Sequence, residues 1–229
     1  MAWLKHLIQS TEGKADKVVG GPWLFNRGAF YIQQAAGPTL ASSTTETSLL
    51  TGTTGSTLAS PSSGTYMTFG VPGTGNADYP GSTLVLTGQT GFSNGLLKQG
   101  TMIAWRFFGT IANTSTPNLT IKVGLVNQST GAFTALAATA ATAMSNVATC
   151  LWELTGSLMV VADSATAGEI YAACKFVYGV TGTAIVSPLG DTSSFDTTQS
   201  YALDIRATWG TSSSSNTMTL NYGMFELVG

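Results

Sequence analysis

Tyr201-Ala-Leu-Asp-Ile-Arg-Ala-Thr-Trp209 alternates apolar and polar side chains, and Thr217-Met-Thr-Leu-Asn-Tyr222 does the same after a turn through Gly210-Thr-Ser-Ser-Ser-Ser-Asn216. Successive side chains of a strand point to opposite faces, so a period of two places Tyr201, Leu203, Ile205, Ala207 and Trp209 on one side of a sheet. The connecting run of glycine, serine and asparagine suits a chain reversal and little else. This stretch predicts two antiparallel strands, each with one face on a core and one more polar.

The same period recurs upstream. Ile103, Trp105 and Phe107 alternate with Ala104 and Arg106, and Leu119, Ile121, Val123 and Leu125 alternate with Thr120, Lys122 and Gly124. Trp152, Leu154 and Leu158 alternate with Glu153, Thr155 and Ser157. Between these runs lie clusters of Gly, Pro, Ser, Thr and Asn, at 60–64, 71–76 and 113–117. Short strands separated by such clusters predict an all-β chain, a jelly-roll-like antiparallel β-sandwich. Leu119, Ile121, Val123, Leu203, Ile205 and Leu220 are expected in the core or at a subunit interface, with Trp105 and Trp209. Ala135–Ala148 has enough alanine for a helix, but its threonines and lack of caps leave loop or strand equally open.

The first 37 residues differ. Six of the chain's 20 charges (9 basic and 11 acidic) fall there, at Lys5, Glu12, Lys14, Asp16, Lys17 and Arg27. Trp3, Leu4, Leu7 and Ile8 have the spacing of one apolar face over one or two helical turns, too short to stand alone. After Gly20-Gly21-Pro22 comes an aromatic segment with Trp23 and Phe25. Residues 1–37 therefore read as a mostly non-β arm, and Trp3, Leu4, Leu7, Ile8, Trp23 and Phe25 as its anchoring residues. Whether the arm docks on a partner or on its own domain stays open. Residues 38–229 form the β domain.

Composition narrows the function. Only 9% of the 229 residues are charged, against about 25% in an ordinary soluble domain. Aromatics make up 10%, which does not suit a disordered chain. A charge-poor chain with mean hydropathy of +0.22 is expected to hide surface against copies of itself or a larger assembly. A net charge of −2 with scattered Lys and Arg argues against a nucleic-acid partner. No uncharged run has the apolar density of a membrane helix, and the first ten residues lack the apolar core of a secretory signal.

Catalytic and metal chemistry lack their usual groups. His6 is the sole histidine, and Cys150 and Cys174 match no zinc spacing. The two cysteines read either as buried thiols or as a bridge between neighbouring strands. Glu153, Glu169 and Asp204 are the carboxylates from which a glycosidase pair would be drawn, and Asp191 and Asp196 flank a loop able to hold calcium weakly. Nothing in their local sequence marks them, and all read as solvated strand or loop residues. The expectation is no enzyme, no cofactor and no metal.

Two short stretches go further than patterning: Thr44-Thr-Glu-Thr-Ser-Leu-Leu50 and the hairpin from Tyr201 to Leu220. With Lys98–Arg106 and Asn118–Gly124 between them, in this order, the chain resembles jelly-roll domains of tailed-bacteriophage virion proteins of the capsid-decoration, head-fibre and tail-fibre type. The resemblance spans about residues 40–229, and the chain departs from it in the arm and in the Pro- and Gly-rich stretch at 60–80. It implies a homotrimer without catalysis or cofactor, partnered by the phage major capsid protein or another virion component. It also implies a location in the virion after assembly in the host cytoplasm. On this basis the chain is expected to be a trimeric capsid decoration or cement protein held to the shell by its arm. The alternative is a receptor-binding head-fibre or tail-fibre tip that recognises host surface polysaccharide through exposed aromatics such as Tyr66, Tyr79 or Trp105; Trp209 has a sugar-stacking platform as its alternative role.

Overall fold

Strands form where the period of two is strongest. In the computed structural model the described residues are 28–33, 36–52, 65–66, 91–92, 97–127, 130–179, 183–186, 190–199 and 201–228. They contain fifteen strands and no helix. These are β1 (Gly28–Gln33), β2 (Thr39–Ala41), β3 (Thr47–Ser48), β4 (Thr65–Tyr66), β5 (Gly91–Phe92), β6 (Met102–Asn113), β7 (Asn118–Asn127) and β8 (Phe133–Ala138), followed by β9 (Thr142–Ala143), β10 (Val147–Ala162), β11 (Gly168–Tyr178), β12 (Thr183–Val186), β13 (Gly190–Phe195), β14 (Tyr201–Trp209) and β15 (Thr217–Leu227). The alanine-rich stretch at 135–148 is thus divided among β8, β9 and the start of β10.

The strands pair antiparallel in two sheets. A nine-stranded sheet runs β12-β11-β10-β6-β15-β1-β4, with β13 also on β11 and β2 on β15. A six-stranded sheet runs β3-β14-β7-β8, with β5 on β14 and β9 on β7. Successive strands alternate between the two sheets from β2 to β7, and the chain crosses again at β9 to β10, β13 to β14 and β14 to β15. Their inner faces share one apolar core, to which the nine-stranded sheet contributes Phe107, Trp152, Leu154 and Phe225 and the six-stranded sheet Ile121, Val123, Ile205 and Trp209. The architecture is an all-β antiparallel sandwich.

Two tryptophan–glycine pairs set the spacing at the centre of the larger sheet. Trp105 on β6 faces Gly156 on β10, and Trp152 on β10 faces Gly109 on β6. A Cβ built on Gly109 would stand 1.9 Å from the Thr219 carbonyl oxygen and 2.6 Å from the Trp152 ring. Each indole therefore lies in the space its opposite glycine leaves. Trp152 Nε1–H donates to the carbonyls of Thr110 and Thr219, at 3.1 and 3.2 Å, which satisfies the indole inside the core.

The sheet begins earlier than residue 38. β1 lies in the segment read as an arm, and pairs with β15 from Gly28↔Leu227 to Gln33↔Gly223. The chain thus enters the nine-stranded sheet at Gly28, beside the C-terminal end of β15.

Candidate interaction surfaces

The residues singled out by sequence as core or interface lie inside a single chain. Trp105, Leu119, Ile121, Val123, Leu203, Ile205, Trp209 and Leu220 are all buried in the shared core. The exposed-aromatic role of Trp105 is thereby corrected, and so is the sugar-platform alternative for Trp209: both indoles face inward because their strands turn the apolar alternation to the core. Trp3, Leu4, Leu7, Ile8, Trp23, Phe25 and Tyr79 lie outside the described residues, as does the Tyr66 side chain.

The cysteines are not bridged. Cys174 sits opposite Gly156, six positions along β10 from Cys150 (150 to 156). At about 3.3 Å per residue that is about 20 Å along the strand, far beyond the ~7 Å Cα limit of a disulfide.

The carboxylates are dispersed as well. Glu153 projects from the outer face of the larger sheet, where Arg106 Nε donates to it at 2.7 Å. Asp204 lies on the smaller sheet, on its face away from the core. Asp196 is occupied within its own turn by Thr198 and Gln199, and these hydrogen bonds, led by the Thr198 hydroxyl, hold its pKa below the usual carboxylate value. No group of three or more His, Cys, Asp or Glu able to hold a metal occurs among the described residues.

The outer face of the nine-stranded sheet carries an apolar surface. Leu151 and Met159 on β10 and Tyr222 and Met224 on β15 are 72%, 44%, 54% and 37% exposed. All four sit on this one face. Phe108 on β6 stacks against Tyr222 with ring centroids 4.9 Å apart, and Arg106 lies 4.9 Å from the Phe108 centroid. The register places Val177, Glu153, Phe108 and Tyr222 in one row across four strands, and Lys175, Thr155, Arg106 and Met224 in the next. A bulge between Leu220 and Tyr222 switches the alternation of β15, so that Tyr222 and Met224 point outward while Phe225 points to the core.

The smaller sheet has the opposite character. On β14 the positions away from the core, Ala202, Asp204 and Arg206, are buried too. Arg206 Nε donates to Asp204 at 2.8 Å, and the Ser48 hydroxyl donates to the other Asp204 oxygen at 2.6 Å. Glu46 accepts from Arg206 at 3.5 Å and from Lys122 at 2.5 Å, and the guanidinium covers the Phe133 ring at 4.1 Å. Burial pushes the Asp204 carboxyl above its ordinary pKa; the Ser48 hydrogen bond and Arg206 pull it back without cancelling that rise. The reading of Asp204 as a solvated strand residue is thus corrected. The missed signal lay in the two stretches quoted for the resemblance: β3 pairs with β14, Ser48 opposite Arg206, so Glu46 and Ser48 meet Asp204 and Arg206 directly.

A third feature lies at the end of the sandwich away from Gly28. The β6–β7 and β14–β15 turns flank a groove of about 200 Å³ lined by Thr114, Ser115, Thr116, Thr211, Ser213 and Asn216 among others. Asn216 is buried; its amide donates to the Thr211 carbonyl, while its Oδ1 has no partner among the described residues. The nearby Asn113 is in the same state, donating to Ser115 and Ser145 with its oxygen bare.

No family model and no curated protein matches the chain.

Proposed function

We propose that this protein is a structural component of a tailed-bacteriophage virion: a trimeric decoration or cement protein seated on the shell by its N-terminal segment. The observation that carries this reading is the separation of the two ends of the sandwich. The chain enters the sheet at Gly28, level with Leu227, and the hydroxyl-rich turns at 114–117 and 210–216 lie at the far end of the same strands. An attachment segment therefore leaves from one end, and an uncharged end projects from the other. The resemblance to virion jelly rolls and the shortage of charge support the same assignment.

Because β1 is part of the sheet, the informative deletion removes residues 1–27 and spares Gly28. The shortened chain is expected to keep its fold and its oligomeric state and to stop re-binding stripped capsids. Retained decoration of capsids refutes the anchoring role.

One observation favours a receptor-binding tip instead. The groove at the far end is lined by hydroxyl and amide residues and by no charged one: Thr114, Ser115, Thr116, Thr211, Ser213 and Asn216 among others. A neutral polysaccharide offers hydroxyls that match such a lining. Binding to host cells or purified glycans that is lost in Asn216→Ala selects this second reading.

A further inference from the structure

We infer that copies of this chain meet through the outer face of the nine-stranded sheet, over β11, β10, β6 and β15. This deepens the self-association in the reading above and rests on it. The four large apolar side chains exposed there are held on central strands, not at a ragged edge, so the surface is preformed.

Charge identifies the occupant. Within the face, Arg106 is already neutralised by Glu153. Lys175 on β11 and Glu226 on β15 lie at opposite flanks of the exposed apolar side chains, neither in an ion pair with another described residue; Glu169, also outward on β11, lies beyond the Met159 row, outside that footprint. Lys175 and Glu226 are three strand spacings apart, about 14 Å or more, which is too far to pair within one chain. A partner with a single sign of charge would satisfy one flank and repel the other. A second copy presents an anionic flank to a cationic one, so that Lys175 of one chain meets Glu226 of the next.

The area is also adequate. Four strands at about 4.8 Å and ten residues at about 3.4 Å give a footprint of roughly 650 Å². A stable interface takes about 800 Å² from each partner, and side-chain relief adds to the backbone footprint. Hydroxyl side chains at Thr155 and Ser157 between the apolar rows add no charge to be desolvated.

The test measures the mass of the full-length protein in solution across a dilution series. Wild type is expected to be a homo-oligomer, and Tyr222→Glu a monomer with unchanged circular dichroism. Lys175→Glu is expected to raise the dissociation constant about tenfold or more, and Lys175→Glu with Glu226→Lys to return it to within about threefold of wild type. The charge-reversal pair decides the matter should Tyr222→Glu fold poorly. An oligomeric wild type whose state none of these changes alters overturns this interface and leaves the virion assignment standing. A monomeric wild type at high micromolar concentration overturns both the interface and the trimer. Loss of glycan binding in Tyr222→Glu, with no change of mass, assigns the face to a ligand and overturns the inference.

Discussion

Arg206→Met should be among the most damaging substitutions outside the apolar core. The guanidinium is 3% exposed, bonded to Asp204 and Glu46 and stacked on Phe133. Methionine keeps most of the volume over the ring. It leaves Asp204 buried with only the Ser48 hydroxyl as a side-chain donor, while Glu46 still has Lys122. Removing one partner of a buried ion pair costs about 3–5 kcal/mol, mostly from the uncompensated charge. With a urea slope of about 2 kcal/mol per molar, the unfolding midpoint should fall by about 1.5–2.5 M. Adding Asp204→Asn removes the stranded charge and should recover roughly 2 kcal/mol of that loss. The cost also depends on pH with a definite sign. Burial already raises the Asp204 pKa in the folded protein, and losing Arg206 raises it further. A raised carboxyl contributes most below its unfolded value and loses that contribution as pH rises through the folded value. The penalty of Arg206→Met should therefore be small near pH 4 and grow toward pH 7. Equilibrium unfolding at both pH values measures this. A penalty under about 1 kcal/mol at pH 7, or one independent of pH, refutes the account of the cluster.

Three further outcomes follow from the packing. Gly109→Ala drives a methyl into the Thr219 carbonyl and the Trp152 ring, and should lower stability by about 1–3 kcal/mol in the same unfolding assay; a neutral result would mean that the indole is free to move. Trp152→Phe should cost about 1–3 kcal/mol, since the core loses part of an indole and the donor to Thr110 and Thr219, and its thermal midpoint should fall accordingly. Cys150 and Cys174 should both alkylate in denaturant without reductant, whereas in the folded protein Cys150 should react slowly, because burial pushes its thiol pKa up; an unreactive pair detected by mass spectrometry contradicts the unbridged geometry.

The strands with a strict period of two were legible from sequence. Those at 103–107, 119–125, 152–158 and 201–209 lie within β6, β7, β10 and β14, because one buried face imposes that alternation, whereas at 218–222 in β15 the bulge after Leu220 turns Tyr222 outward, against the period read there. β1 was not, although Phe30, Tyr31 and Ile32 are good strand formers. Its status depends on pairing with β15 nearly two hundred residues away, and no local pattern carries that information. The inward turn of Trp105 followed from its alternation, yet an aromatic beside Arg106 reads equally well as an exposed platform until the glycine opposite it is known to be Gly156.

The hardest property to read was which outer face is covered, and there the two sheets invert the simple expectation. Asp204 and Arg206 occupy outward positions on β14, where patterning assigns them to water, yet they are sealed. Leu151 and Tyr222 occupy outward positions on β10 and β15, and there the apolar side chains are the ones in water. Alternation along a strand reports only that its two faces differ; it does not report what lies beyond either face. On the smaller sheet the cover comes from the same chain, since Ser48 on β3 and Glu46 just ahead of it complete the charges of β14. On the larger sheet the described chain supplies no such cover over Tyr222 and Leu151. The buried ions of the smaller sheet are neutralised internally, whereas among the described residues the apolar rows of the larger sheet stay exposed, and the proposed self-association is what would cover them.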